Sequence, residues 1–170
     1  MLILASASPR RIEMLQNAGY DPVVKPASII EKLPFEMGPE TATMFLALSK
    51  ASAICDEIIS RQSGSRSDWP PRNEDITIIA ADTVVVYDGN IIGKPSDENE
   101  AYAILSRLRG NSHHVITGCC IIKCDNKAGS LSPVSRRCFY EDSEVFFQAF
   151  PLDELRAYVK TEEPYDKAGG

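Results

Sequence analysis

Histidine is almost absent from this chain, and its cysteines have no metal-binding spacing. The only two histidines, His113 and His114, are adjacent. On a strand they would point to opposite faces, which argues against a shared imidazole site and for structural or surface roles. The five cysteines are Cys55, Cys119, Cys120, Cys124 and Cys138, an odd number with no Cys-x-x-Cys pair. That speaks against a disulfide framework or a zinc knuckle and fits a reducing cytoplasm. No apolar run approaches the roughly 18 residues that would span a membrane. The N-terminus has no basic region, and its short apolar run stops at Ser6, so a signal peptide is not expected. A basic stripe is missing as well. Lys and Arg number 18 against 24 Asp and Glu, a net charge of −6. A nucleic acid polymer is therefore not the expected partner, and any phosphate binding has to be local.

What is present reads as an ordinary globule. The 170 residues are 44% hydrophobic, enough for one domain with a sizeable core, 1–170, in one lobe or two. Met1–Ala5 reads as a short buried strand. Ser8 then suits a helix N-cap and Pro9 the first helical position. Ile12, Met14 and Leu15 give that helix an apolar stripe, and Gly19 suits its end. Tyr20–Val24 suggests a second strand, followed by a loop through Ile29, Ile30 and Glu31. A longer helix is expected from about Pro39 to Ser60, with Phe45, Leu48, Cys55 and Ile59 toward the core. Arg61–Asp75 reads as an exposed insertion whose lone Trp69 docks on the surface or meets a partner. Ile76–Tyr87 is strongly strand-like, Asp88-Gly89 signals a tight hairpin, and Asn90–Ile92 returns. Ser96 is the expected cap of a further helix with Ala101, Leu105 and Leu108 inside and Gly110 at its close. Strands are expected at His114–Ile122 and Cys138–Phe147, a turn-rich stretch at Asn126–Pro133, and a last helix at Leu152–Lys160. Strands and helices mix without strict alternation around a central hairpin, so the expected class is α/β or α+β with a mixed sheet.

Several charges sit where a purely structural protein would avoid them. Arg10 and Arg11 fall in the first turn of the first helix, where the macrodipole is already positive. With the free N–H groups there they make an anion pocket suited to phosphate oxygens, or else a solvated arginine pair. Asp82 lies inside an apolar strand, and a buried carboxylate must be paired, bind a metal or face a cleft. It is a structural partner for a lysine, or a general base or metal ligand. In a regular hairpin Thr83 would face Lys94 and Asp82 would face Pro95, which leaves Lys94 on the other face from Asp82 unless a bulge intervenes. Lys50, Glu31, Asp166 and Lys167 do not stand out from composition; each alone reads as a solvated charge.

The ordered set Leu4-Ala5-Ser6-Ala7-Ser8-Pro9-Arg10-Arg11, Leu48-Ser49-Lys50-Ala51, Ala81-Asp82-Thr83-Val84-Val85, Gly93-Lys94-Pro95, Thr117-Gly118 and Glu163-Pro164-Tyr165-Asp166-Lys167-Ala168-Gly169 resembles the Maf family of nucleotide pyrophosphatases. The resemblance implies an α/β fold with an elongated, twisted mixed sheet flanked by helices, two lobes and a central cleft, similar to the inosine triphosphate pyrophosphatases. It implies hydrolysis of a nucleoside triphosphate to the monophosphate and pyrophosphate with Mg²⁺ or Mn²⁺. Asp82 matches the proton acceptor, with Glu31 helping it hold metal. Ser6, Arg10, Arg11, Lys50, Thr83 and Lys94 match substrate-binding positions. Arg11 and Thr83 match the branch acting on dTTP and UTP, with a role in clearing non-canonical pyrimidine nucleotides. A homodimer is implied in the same way. The family pattern runs on past Gly169 into a segment with an Ile-Gln-Gly step and a further strand, and the chain's end at Gly170 leaves that segment out of the expected domain. Two other readings stand beside the enzyme: a nucleotide-binding regulator of septum formation with little turnover, and a structural adaptor using the Trp69 loop.

Overall fold

A computed structural model of the chain describes residues 1–62, 74–127 and 130–170. The element order is β1 (Leu2–Leu4), α1 (Pro9–Asn17), β2 (Val23–Val24), α2 (Pro39–Gln62), β3 (Ile76–Tyr87), β4 (Asn90–Ile92), α3 (Glu98–Leu108), β5 (Ser112–Lys127), β6 (Ser130–Phe146) and α4 (Leu152–Tyr158), then a single 3-10 turn at Glu163–Asp166. The sheet has six strands in the order β2-β1-β3-β5-β6, with β4 also paired to β3. β1 runs parallel to both neighbours, with Ile3 opposite Val23 on one side and Ile78 on the other. β4 is antiparallel to β3. The sheet is therefore mixed, as the irregular succession of strands and helices implied. No helix among the described residues is long and apolar enough to cross a membrane.

The hairpin follows from its turn residues. Asp88 and Gly89 both have positive φ, 55° and 73°, the backbone a two-residue turn needs to match strand twist. Tyr87 pairs with Asn90 and Val85 with Ile92, where the ladder ends. The sequence register extended two residues further, to Thr83 and Lys94. Lys94 instead lies past the strand and is exposed. Pro95 follows directly, and a residue without an N–H cannot continue a ladder.

The chain divides into two compact units: Met1–Met37, Thr41–Asp82 and Gly118–Tyr140 form the first, and Gly38–Glu40, Thr83–Thr117 and Glu141–Gly170 the second. In the first, Ile76, Ile78 and Ala80 of β3 alternate into a core shared with Ile3, Ile122 and α2. α2 contributes Ala47, Ala51, Ile54, Cys55 and Ile58 to this core, and buries Ala42 and Thr43 nearer its start. Phe45, Leu48 and Ile59, read from the sequence as core, are half-buried, and Leu48 and Ile59 pack against that core from its rim. Helix and sheet approach most closely one turn before Ala47, at Thr43 and Met44. Added at Gly118 on β5, a Cβ would lie 2.3 Å from the Thr43 carbonyl carbon and 2.4 Å from the Met44 nitrogen. Backbone meets backbone there, so only glycine fits. In the second unit, Ala101 and Leu105 of α3 pack on Leu155 of α4 and on Val159 at its C-cap, while Leu108 joins Val85 and Ile92.

Local details depart from the sequence reading in four places. α1 has no fully buried residue. Met14, assigned to its apolar stripe, is 70% exposed. Ser8 does occupy the N-cap in extended backbone, but its side chain makes no capping bond; its N–H donates instead to Ser6 Oγ at 3.2 Å. The N-cap of α3 is Asp97, not Ser96: Asp97 Oδ1 accepts from the Glu100 N–H at 2.9 Å. Ser96 donates its hydroxyl and its N–H to Glu100 Oε2 at 2.5 and 2.8 Å, so Glu100 reaches back and closes a capping box one residue early. β5 and β6 also run through most of the stretch read as turn, since β5 continues to Lys127 and β6 begins at Ser130. Pro133 is tolerated because β6 ends the sheet order. The proposed surface docking of Trp69 lies outside the described residues.

Candidate active site

β3 delivers Asp82 as the last residue of the first unit on that strand. Asp82 is 9% exposed. Its burial follows from strand periodicity, which puts Ala80 and Asp82 on one face, together with the neighbouring backbone. Such a carboxylate requires compensation, and Lys50 supplies it: Lys50 Nζ donates to Asp82 Oδ1 at 2.6 Å. The same ammonium lies 2.9 Å from Glu31 Oε1. Lys50 thus joins a mostly buried carboxylate to a loop carboxylate whose side chain is 55% exposed. Helical spacing explains its position. Lys50 flanks the buried Ala47–Ala51 row of α2, so its stem lies along the core edge while its head reaches β3.

Arg11 is tied to the same strand. Its Nη1 donates to the Ala81 carbonyl at 2.8 Å and to Ser6 Oγ at 3.3 Å. Ser6 is itself 8% exposed. The guanidinium is half-buried, and its pKa is lowered chiefly by desolvation and also by Arg10, with Asp82, Cys119 and Glu31 opposing. Arginine is not deprotonated in proteins, so the group remains a cation. Arg10 is exposed at the start of α1. Cys119 is half-buried on β5, and burial pushes its thiol up while Arg11 pulls it down.

The structure therefore gathers Ser6, Arg11, Glu31, Lys50 and Asp82 into one polar cluster in the first unit, with Arg10 beside Arg11 in sequence. In the second unit, Thr83 Oγ1 and Thr117 Oγ1 lie 3.0 Å apart, and Lys94 is exposed beyond β4. Sequence reasoning missed three participants: the Ala81 carbonyl as anchor for Arg11, Thr117 as partner of Thr83, and Cys119 as neighbour of Arg11. Thr117-Gly118 formed part of the resemblance, but no pattern in the sequence shows which hydroxyl meets which.

Among the described residues no group of three or more His, Cys, Asp or Glu is arranged to hold a metal. The donors present are the two carboxylates that converge on Lys50. Two hard oxygen ligands suit Mg²⁺ or Mn²⁺, which keep their waters and take remaining ligands from substrate phosphates. The residues fit such an ion as a substrate-borne partner and would not cage it alone.

A mixed α/β fold carries here a lysine held between two carboxylates, with an arginine tied to the same strand, a charged cluster of the class suited to an anionic ligand. Comparison with known proteins narrows that class. The family model described as "Maf-like protein" matches residues 1–170. A dTTP/UTP pyrophosphatase of Desulfitobacterium hafniense (strain Y51) is 40% identical over 169 residues, 99% of this chain and 68% of that protein. One from Geobacillus sp. (strain WCH70) is 40% identical over 168 residues, 99% of this chain and 77% of that protein. A third, from Agathobacter rectalis, is 38% identical over 168 residues, 99% of this chain and 78% of that protein. The chain belongs to the Maf-like family.

Proposed function

We propose that this chain is a nucleoside triphosphate pyrophosphatase that hydrolyses dTTP and UTP to the monophosphate and pyrophosphate. The observation that carries the reading is Asp82: a nearly buried carboxylate held at 2.6 Å from Lys50, in a chain about 40% identical to proteins named for this activity.

Water attacks the α-phosphorus, and the bond to the β-bridging oxygen breaks so that pyrophosphate leaves. Asp82 accepts the proton of the attacking water. Lys50 holds Asp82 in place through their hydrogen bond, and its charge offsets the negative charge that gathers on the phosphoryl oxygens. Arg10 and Arg11 sit at a helix N-terminus, where N–H groups and dipole favour anions. Arg11 gives planar, two-pronged donation to phosphate oxygens, and Ser6 orients it. A divalent Mg²⁺ or Mn²⁺ on Asp82 and Glu31 would neutralise phosphate charge when bound with substrate. No covalent intermediate is needed; positioning and charge stabilisation suffice. Thr83 and Lys94 enter this reading through the family resemblance alone, as substrate-binding residues. A cytoplasmic location completes it, on the cysteine usage given above.

Incubation with dTTP, UTP, CTP and 7-methyl-GTP in Mg²⁺, with product identification, tests the reading. Pyrophosphate from dTTP or UTP is the expected result. Orthophosphate would reject the cleavage point, and binding without turnover would favour a regulator. Asp82→Asn should abolish turnover while nucleotide affinity is retained; unchanged turnover removes Asp82 from the mechanism.

A further inference from the structure

Two thiol pairs lie in the first unit. Cys55 of α2 and Cys124 of β5 are in contact, Sγ to Sγ at 3.6 Å, and both are buried, 3% and 1% exposed. Cys120 of β5 and Cys138 of β6 form the second pair. β5 and β6 are neighbours in the sheet, and the Cys120 thiol is hydrogen-bonded to Cys138. Cys120 is fully buried, whereas Cys138 is exposed.

Strand register places the second pair independently. The Phe147 N–H donates to the Asn111 carbonyl at 3.1 Å, so these two residues oppose each other where the hairpin opens. Counting inward along both strands sets Cys120 opposite Cys138. The contact between His114 Nδ1 and Asp142 Oδ1 at 2.9 Å agrees, because even-numbered residues of both strands then share a face. Hydrogen-bonded and non-hydrogen-bonded pairs alternate along an antiparallel ladder. Cys120 is an odd number of steps from Asn111, so its pair with Cys138 is of the second type. Such pairs hold their Cα atoms about 4.5 Å apart, within the range of about 4.4–6.8 Å that a disulfide spans. Cys119 points to the other face of β5 and away from Cys138.

We infer that Cys120 and Cys138 form a reversible oxidation site, closed to a disulfide by hydrogen peroxide and reopened by a thiol reductant. Access sets the order of events. Cys138 Sγ attacks one peroxide oxygen, the O–O bond breaks, and Cys138 becomes a sulfenic acid as water leaves. Cys120 Sγ then attacks the Cys138 sulfur. The S–O bond breaks, and the departing hydroxide takes the Cys120 proton and leaves as water. Two thiols and one hydrogen peroxide thus give one disulfide and two waters. Burial pushes the Cys120 thiol up to about 12, with Arg136 opposing; it therefore keeps its proton until the second step and is the resolving partner. Cys55 and Cys124 touch each other but are closed to an oxidant, so they remain thiols. A transient, sensing disulfide is the kind a reducing compartment permits. The site uses no residue assigned above to nucleotide hydrolysis.

Brief exposure of the full chain to a small excess of hydrogen peroxide tests the inference, with thiol counting under denaturing conditions and mapping of tryptic peptides. The unaltered chain should lose two of its five free thiols. It should carry one intramolecular link, between the peptide holding Cys119 and Cys120 and the peptide holding Cys138. Dithiothreitol should restore all five thiols. Cys119→Ser should link as before. Cys120→Ser should stop at a Cys138 sulfenic acid that dimedone captures, and Cys138→Ser should keep all its thiols. Cys138 is exposed, so that last variant keeps its fold, and circular dichroism checks each of them. A Cys55–Cys124 link, loss of the link in Cys119→Ser, a link between two chains, or a Cys138 that enters no link overturns the proposal.

Discussion

Gly118→Ala tests how the fold positions the site. The added Cβ would stand 2.3 Å from the Thr43 carbonyl carbon, 2.4 Å from the Met44 nitrogen and 2.7 Å from the Thr43 oxygen. All three are backbone atoms, so no side chain can swing aside. Ordinary contact starts near 3.4 Å, and 3.4 − 2.3 leaves about 1.1 Å that α2 or β5 must yield. Overpacking of this kind costs about 1–3 kcal/mol. For a chain of this size each kcal/mol lowers Tm by about 2–4 °C. Thr43 and Lys50 are seven residues apart, close to two helical turns, so a shifted α2 carries Lys50 with it. The 2.6 Å bond to Asp82 cannot absorb a displacement of that size. A misplacement of about 1 Å can cost on the order of 100-fold in rate. The expected variant is folded, several degrees less stable, and reduced in kcat by about 10- to 100-fold, with a smaller change in KM. Calorimetry and steady-state pyrophosphate release measure both. Unaltered Tm and kcat would show that α2 and β5 do not meet as described, and that the reasoning from Gly118 to Lys50 is wrong.

Lys50→Met removes the cation from a carboxylate that is mostly buried, and breaking such a pair by deleting one partner costs about 3 kcal/mol; Lys50→Met/Asp82→Asn should recover much of this in a denaturant-melt cycle, and equal losses for single and double variants would refute the pairing. Glu100 titrates below the ordinary carboxylate range because Ser96 donates to it through both hydroxyl and backbone. A depressed folded-state value gives stability present above the unfolded pKa of about 4.3 and lost as pH falls through the folded one. Ser96→Ala should move the Glu100 titration upward in a carboxyl NMR experiment, and an unmoved titration would break the capping-box assignment.

Most elements were legible because their signals are local. The β-branched run in Ile76–Tyr87, the Asp88-Gly89 turn and the Pro9 start each state their conformation within a few residues. Errors appeared where tertiary contact decides. The close approach of α2 to β5 at Gly118 is a contact that no helical periodicity encodes, and bulky Phe45 and Leu48 drew attention from Ala47 and Ala51. The first part of β6, from Ser130 to Arg137, escaped because a strand exposed on both faces has no alternation to read. Asp82 was visible as a carboxylate in an apolar strand. Lys50 and Glu31 were not, since a flanking lysine and a loop glutamate look solvated until the fold brings them together. Their candidacy came from the family resemblance, and the geometry now supplies the physical link between all three.

Arg11 has a consequence for ligand capture. The helix it belongs to buries no side chain fully, so its seating owes little to apolar contact and much to the tether between this guanidinium and the Ala81 carbonyl. An anion that pulls the guanidinium off that carbonyl would unseat the helix, whereas one that binds while the Nη1 bond survives would leave it in place. Capture of the ligand and looseness of the first helix are linked through that one side chain.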